Sequence, residues 1–369
     1  MQPNPLIGNS PTTSTPAGID DYLRERLMPV EGAIPQLAGI EMYGNSIPAE
    51  TAGGDLFEYI NFQQRYNIDA RIALALTHSQ TYLEPLLQGA SPRNEVDVHA
   101  QWLDLRHDLN SINEAEYRKA KSSEQIRIAE NLQELYTIAG VLLVDAQGHG
   151  IIAAKIASTV HDTFHAAMLS ELDYSGRTTS AVFETVNLRL AQSVTTRNAL
   201  GRDMGSSARE VATMLYGQIH LCGVFRFVNF GHPQPLVFSA KHRRFMEIHK
   251  NCVAQFPALG LEIPEDHPDR SKYVSIDVRP TQMGPFDVEE VSLVESGDIL
   301  FLYTDGVYDG SDEEQKQEIE EIIDRHKQDS AKGLCNAILE YAVGNDDHMR
   351  QSGEPDRIDD KTVFIIKRQ

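Results

Sequence analysis

Strand-length apolar runs with an aspartate at one end recur along this chain: GGDLFEYI with Asp55, VLLVDAQGHG with Asp145, ILFLYTDGV with Asp305, and DDKTVFIIK with Asp359 and Asp360. Each run reads as a strand whose apolar residues seek a core and whose end carries a short carboxylate. Carboxylates delivered from several strand ends to one place repel each other unless cations neutralise them. The simplest reading is a divalent-metal site.

The order of elements narrows the fold. IDDYLRERLMP reads as a short helix closed before Pro29 and leads into the strand-like AGIEMYGNSIPA. Residues 63–137 differ in character, being rich in Glu, Gln, Arg, Ala and Leu, and read as helical. Trp102, Leu105, Leu109 and Ile112 form one apolar stripe there, and Ile128, Leu132, Leu135 and Ala139 form another. After Gly150, IIAAKIASTVHDTFHAAML reads as a helix with Ile152, Ile156, Val160 and Phe164 four apart. Strand signals dominate 211–303 (VATMLYGQIH, VFRFVNF, PLVFSA, RFMEIH, VSLV, ILFLY). Ser311 and Glu314 have capping-box spacing before the acidic helix QKQEIEEIIDRH, and a helix at 331–343 precedes the strand TVFIIK. Alternating βαβα units are missing, so the expectation is an α+β sandwich of antiparallel sheets flanked by helices. Residues 1–18, rich in Pro, Ser, Thr and Asn, are expected to form a disordered tail.

Charge excludes some partners. With 33 basic and 54 acidic side chains the net charge is −21, and no basic stretch could track a phosphate backbone, so neither nucleic acid nor an anionic membrane is expected to bind. The runs IAGVLLVDA and ILFLY fall far short of the roughly 18–20 residues of a membrane span. The first residues carry neither a charged n-region nor an apolar h-region, so a cytoplasmic location is expected. Cys222, Cys252 and Cys335 are odd in number and widely spaced, which fits apolar filling rather than a disulfide framework.

Oxygen-only donors favour hard ions such as Mg²⁺ and Mn²⁺, and two such ions can activate a shared water for in-line attack on phosphorus. Taken singly, each acidic motif has a plainer reading. Asp305-Gly306 is an ordinary turn pair, and His149 between glycines and His232 in NFGHP fit turns as well. As an ordered series they say more. PAETAGGDLFEY, VDAQGHGIIAAKIAS, VATMLYGQI, FVNFGHPQPLVF, ALGLE, SGDILFLYTDGVYD and DDKTVFIIK together resemble the SpoIIE-like (RsbU-like) branch of the metal-dependent PPM, or protein phosphatase 2C type, serine/threonine phosphatases.

The resemblance spans residues 19–62 and 138–369 and leaves 63–137 as a helical insertion within the domain. It implies a four-layer α-β-β-α sandwich holding two Mn²⁺ or Mg²⁺ ions. Asp55, Asp145, Asp305 and Asp359 match the family's metal ligands, and Ala146 takes the position whose backbone carbonyl also binds. Asp360 becomes an orienting neighbour. His149 matches a histidine proposed to donate a proton to the leaving alkoxide, while His232 fits a structural turn. The implied activity is phosphoserine/phosphothreonine hydrolysis in bacterial partner switching, on a phosphorylated protein such as a STAS-type anti-sigma-factor antagonist. Glu58 departs from the pattern, since relatives often carry Asp there. The insertion departs too; it could cover the active site, read a signal or make a homodimer. Two other readings are a pseudophosphatase that only binds a regulatory partner, and a scaffold acting through residues 63–136.

Overall fold

The computed structural model describes residues 31–50, 52–87, 114–148, 150–199, 210–246, 256–261, 289–352 and 358–369. The expected tail, the helix before Pro29, the stripe from Trp102 to Ile112, and His149 and Cys252 lie outside the described residues.

Ten strands form two antiparallel five-stranded sheets. One runs β2 (Asp55–Ile60), β3 (Ile138–Ala146), β4 (Ala212–His220), β5 (Val224–Phe230), β8 (Glu289–Ser292). The other runs β1 (Ile40–Ile47), β10 (Lys361–Arg368), β9 (Ile299–Tyr303), β6 (Leu236–Ser239), β7 (Arg244–Met246). Both faces of the central strands are covered, which is why ILFLY and VLLV read as unbroken apolar runs rather than alternating ones.

Side-chain alternation sorts the core into three layers. Phe57, Tyr59, Val141, Leu143 and Leu215 meet Leu300, Leu302, Phe364 and Ile366 between the sheets. Their neighbours Leu56, Ile60, Leu142, Val144 and Met214 face outward, onto α4 (Gly150–Ser175) and α5 (Ser180–Ala199). On the far side Phe301, Val363 and Ile365 pack against α6 (Glu313–His326) and α7 (Ala331–Ser352) through Ile319, Ile323, Leu334 and Ile338. The result is the expected α-β-β-α sandwich.

Between β2 and β3 come α1 (Phe62–Tyr66), α2 (Ile68–Leu87) and α3 (Glu114–Glu134). Asn61 caps α1 by accepting from Gln64 N, and Asn67 ends it in the left-handed region at φ 50°. Helices α2 and α3 pack along each other, with a buried Ser79–Ser122 hydroxyl pair 2.7 Å apart. Ile128, Leu132 and Leu135 then join the core under α4.

Four local expectations change. Ala139 belongs to β3, because a 3₁₀ turn over Leu135–Thr137 ends the helix and the run IAGVLLV prefers a strand. Helix α6 is capped by Asp312, whose carboxylate accepts from Glu314 N and Gln315 N, while Ser311 bonds to Asp309 instead. Ile152 is 76% exposed because the first turn of α4 overhangs the sheet, whereas Ile156, Val160 and Phe164 are buried. Helix α5 lies in a stretch without an assigned element; its Val182, Phe183, Val186 and Leu190 supply a buried helical face. Cys335 fills the core, and its burial pushes the thiol up to about 12. Among the described residues no helix is long and apolar enough to cross a membrane.

Phe364 locks the two sheets together. Its ring stands near-perpendicular to Phe57 at 5.9 Å and tilted against Tyr59 at 5.0 Å, and Gly44 makes room for it, since a Cβ there would lie 2.5 Å from Phe364 Cδ2. Phe364→Ala is therefore expected to cost about 3–5 kcal/mol in equilibrium urea unfolding. A loss below about 1 kcal/mol would contradict a core closed by this ring.

Candidate metal centre

Strand register brings the acidic motifs to one end of the sandwich. Asp55, the first residue of β2, pairs directly with Asp145 near the end of β3. In the other sheet β9 runs out just before Asp305, beside the start of β10, which follows Asp359 and Asp360. Thr304 N donates to Thr362 O at 3.1 Å, so these two ends are stitched side by side.

Threonines from the second sheet hold the carboxylate of the first. Thr304 Oγ1 and Thr362 Oγ1 donate to Asp55 Oδ2 at 2.6 and 2.7 Å, and Asp55 is 3% exposed. Asp360 fixes the loop that delivers Asp55, accepting from Ala49 N at 2.7 Å and Gly54 N at 2.6 Å. Glycine is required for this approach: a Cβ on Gly53 would stand 2.6 Å from the Asp360 carboxylate, and one on Gly54 would stand 2.6 Å from the Ala146 carbonyl. The Ala146 carbonyl therefore lies against the Gly54-Asp55 turn.

The carboxylates feel one another. Burial first, and then the charge of Asp145, hold Asp55 well above the usual carboxylate range, with the two threonine hydroxyls only partly opposing. Asp145 is pushed up from the usual 3.8 to about 7 by burial and by Asp305, Asp359 and Asp360. Asp305 is raised by lost solvation and then by Asp359. Lys361 stands close by, but its ammonium is committed to Asp346 Oδ1 at 2.7 Å and to the Asp359 carbonyl at 2.9 Å.

Such a set fits hard divalent cations. Its donors are all oxygens, it is short of positive charge, and its deepest member is oriented by neutral hydroxyls. Among the described residues, no three of these carboxylates have oxygens all within 4.8 Å of one another. Carboxylates of this kind would hold such ions with water completing the shell, as Mg²⁺ prefers. Asp305 and Asp359 open onto a cavity of about 610 Å³ that also touches Asp309, Glu318 and Asp346.

His232 supports the strand end from behind, its Nδ1 2.8 Å from Thr213 Oγ1, the residue that pairs with Asp145 across the sheet. Its backbone holds the expected turn: the N donates to Asn229 Oδ1, Asn229 Nδ2 donates to the His232 carbonyl, and Gly231 turns at φ +67°. Burial pushes its imidazole down to about 3, so it is neutral. Thr304 and Thr362 were the residues that motif reasoning left without a role. Their signal was position, since one precedes Asp305 directly and the other follows Asp360 by two.

A family model described as Stage II sporulation protein E (SpoIIE) matches residues 138–369. No curated protein matches the chain. Similar solved structures include the RsbU and RsbW domains of Rv1364c from Mycobacterium tuberculosis, at 16% identity and TM-score 0.49, covering 93% of this chain and 63% of that one. The SiaA-PP2C domain of Pseudomonas aeruginosa is similar at 12% identity and TM-score 0.44, covering 88% and 85%. The PP2C phosphatase domain with a fragment of the regulatory domain of SpoIIE from Bacillus subtilis is similar at 14% identity and TM-score 0.40, covering 62% and 54%. The chain thus spans less than two thirds of the first and third of these structures.

The raised carboxylates carry a pH signature. A group whose folded pKa exceeds its unfolded value contributes stability at low pH and loses it as pH rises; for Asp145 the loss runs from about 4 to about 7. Bound Mg²⁺ or Mn²⁺ would replace those protons, so the rise in Tm on adding the ion is expected to be larger at pH 8 than at pH 5. A pH-independent rise would show that the ion acts elsewhere.

Proposed function

The chain belongs to the SpoIIE family, and on that premise we propose that it is a metal-dependent protein phosphatase acting on phosphoserine or phosphothreonine. The observation that carries this reading is the convergence of Asp55, Asp145, Asp305 and Asp359 with too little positive charge around them. These four side chains and the Ala146 carbonyl would hold two Mn²⁺ or Mg²⁺ ions. Cations held there would polarise the phosphoryl oxygens and lower the pKa of the attacking water.

The chain's own residues do the positioning. Thr304 and Thr362 aim Asp55, and Asp360 holds the Gly53-Gly54 turn that presents it. In the reaction a water oxygen bonds to phosphorus as the ester P–O bond breaks, and the serine or threonine oxygen takes up a proton. We assign that proton to His149, whose unperturbed pKa lies near working pH. The cavity beside Asp305 and Asp359 would receive the residues flanking the phosphorylated side chain. We take the substrate to be a phosphorylated protein such as an anti-sigma-factor antagonist of the STAS type in a partner-switching pathway, a reading that the family membership supports.

Release of phosphate from a phosphoserine protein, measured with and without Mn²⁺, tests this. Asp55→Asn and Asp305→Asn are each expected to lower metal-dependent turnover by about 10²-fold or more, the scale of losing one charge-stabilising group, with the far-UV spectrum unchanged. Full turnover in both variants would sink the assigned mechanism. Absence of turnover and of metal binding in the unsubstituted protein would mark it as a binding module on the same fold.

A further inference from the structure

The helix-facing side of the first sheet carries a second donor set. Glu58 lies on β2 three residues past Asp55, and side-chain alternation turns it away from the sheet–sheet core and toward α4. His161 and His165, four apart on α4, share the face that meets it. All three are buried, at 1%, 5% and 7% exposure. Glu58 Oε2 stands 2.9 Å from His161 Nε2 and also contacts His165 Nε2, and one ligand atom from each of the three lies within 4.8 Å of the others.

Each group's remaining polar atom is held by a further partner. His161 Nδ1 is 3.1 Å from Asp162 Oδ1, His165 Nδ1 is 2.6 Å from Tyr66 Oη, and Glu58 Oε1 receives Arg65 Nε at 3.1 Å. What is left, Nε2, Nε2 and Oε2, lies together, with Glu58 Oε2 against both imidazole nitrogens. Orienting the far nitrogen of a histidine by an oxygen partner is how proteins aim imidazole at a metal. The Asp162 carboxylate only accepts, so with a proton on His161 Nδ1 a neutral ring would turn its Nε2 lone pair toward the Glu58 carboxylate, and only a second proton on Nε2 lets His161 donate to it. Two acceptors face to face need a second proton or a cation between them. Hydrogen bonds from His161 and His165 hold Glu58 down to about 2 against the opposing effect of burial, so its carboxylate stays charged; burial lowers His165, which disfavours its imidazolium.

We propose that Glu58, His161 and His165 form a metal site separate from the aspartate centre, taking one borderline divalent ion of the zinc class. Two imidazoles and one carboxylate suit Zn²⁺ or Co²⁺, whereas the all-oxygen aspartate set suits Mg²⁺ or Mn²⁺. Asp55 and Glu58 lie roughly 10 Å apart along β2 and on opposite faces, so the two sites do not share donors. Zinc–nitrogen bonds of about 2.0–2.1 Å set tetrahedral ligands roughly 3.3 Å apart, so loading must draw Glu58 Oε2 away from both imidazoles. Protons on Nε2 leave to solvent as the ion binds. The loaded site ties β2, which delivers Asp55, to α4, which follows the Asp145 motif, and to α1, which supplies Arg65 and Tyr66 from the start of the helical block.

The test needs no turnover, so its outcome is independent of the phosphatase reading. Metal-stripped protein saturated with Mg²⁺, and the Asp55→Asn/Asp305→Asn variant, are titrated with Zn²⁺ by calorimetry and with Co²⁺ by visible absorption. Both are expected to bind one equivalent, with Co²⁺ giving the intense bands of a tetrahedral nitrogen–oxygen site. His165→Asn should abolish that equivalent. Tyr66→Phe, which removes only the hydroxyl orienting His165, should weaken it by about 10–100-fold while the protein stays folded by circular dichroism. Failure of the Mg²⁺-saturated protein to take up Zn²⁺, or Zn²⁺ binding unchanged by both His165→Asn and Tyr66→Phe, would overturn the proposal and leave a hydrogen-bonded ion pair.

Discussion

Asp55 is a carboxylate of the first sheet held by two hydroxyls of the second. Hydrogen bonds to a charged group contribute about 1.5–3 kcal/mol each, yet Thr304 and Thr362 do not bring Asp55 back into the usual carboxylate range. Burial and the facing Asp145 outweigh them. The end of the sandwich is therefore built short of positive charge, and the apolar layers beneath must hold it closed. The sheet–sheet core beneath is closely packed, with Phe57, Tyr59 and Phe364 in mutual ring contact and Gly44 leaving room for them. A looser core would let β2 and β10 slide apart and relieve the repulsion without any ion.

The elements that were legible in the sequence are those whose signal is local. ILFLY, VLLV and TVFIIK announce strands buried on both faces, and the glycines before Asp55 mark a close backbone approach that the structure fills with Asp360 and Ala146. What sequence leaves open is register. Asp55 opposes Asp145 only because β2 and β3 pair across the long connection from residue 61 to 137, and no local pattern encodes that partner. The threonine clasp is invisible for the same reason, since Thr362 and Asp55 are 307 positions apart. Capping failed on competition between neighbours: Asp309 captures Ser311, so the cap passes to Asp312. The apolar face of α5 gives a weaker signal because exposed Leu188 on another face blurs the stripe of Val182, Val186 and Leu190.

The helical block also looks different once placed. Its described part does not stand off as a separate lobe: α3 feeds Ile128, Ala129 and Leu132 into the layer that α4 and β3 share. Polar contacts reinforce this, with Asn131 Nδ2 donating to the Ser175 carbonyl at 2.7 Å and Arg71 paired with Asp173 at the far end of α4. Gly176 turns at φ +74° directly under α3, where a Cβ would lie 2.4 Å from the Ile128 carbonyl. Helix α4 is thus held from outside at its C-terminal end, while its first turn borders the aspartate motifs. A shift of α2 and α3 therefore acts on α4 as well as on β3, which follows α3 after one 3₁₀ turn.

Charge then imposes an order of events on the proposed chemistry. The protein carries a net charge of −21, and the cavity at the aspartate end adds Asp309, Glu318 and Asp346 to Asp305 and Asp359. A phosphorylated side chain approaching that end before the cations meets repulsion from every side, and Lys361 offers no relief because Asp346 and the Asp359 carbonyl already occupy its ammonium. Cation binding must come first, converting a field that rejects phosphate into one that accepts it. Selectivity for a protein substrate then has to come from contacts around the phosphate, because the acidic rim favours flanking residues that are basic or neutral over acidic ones.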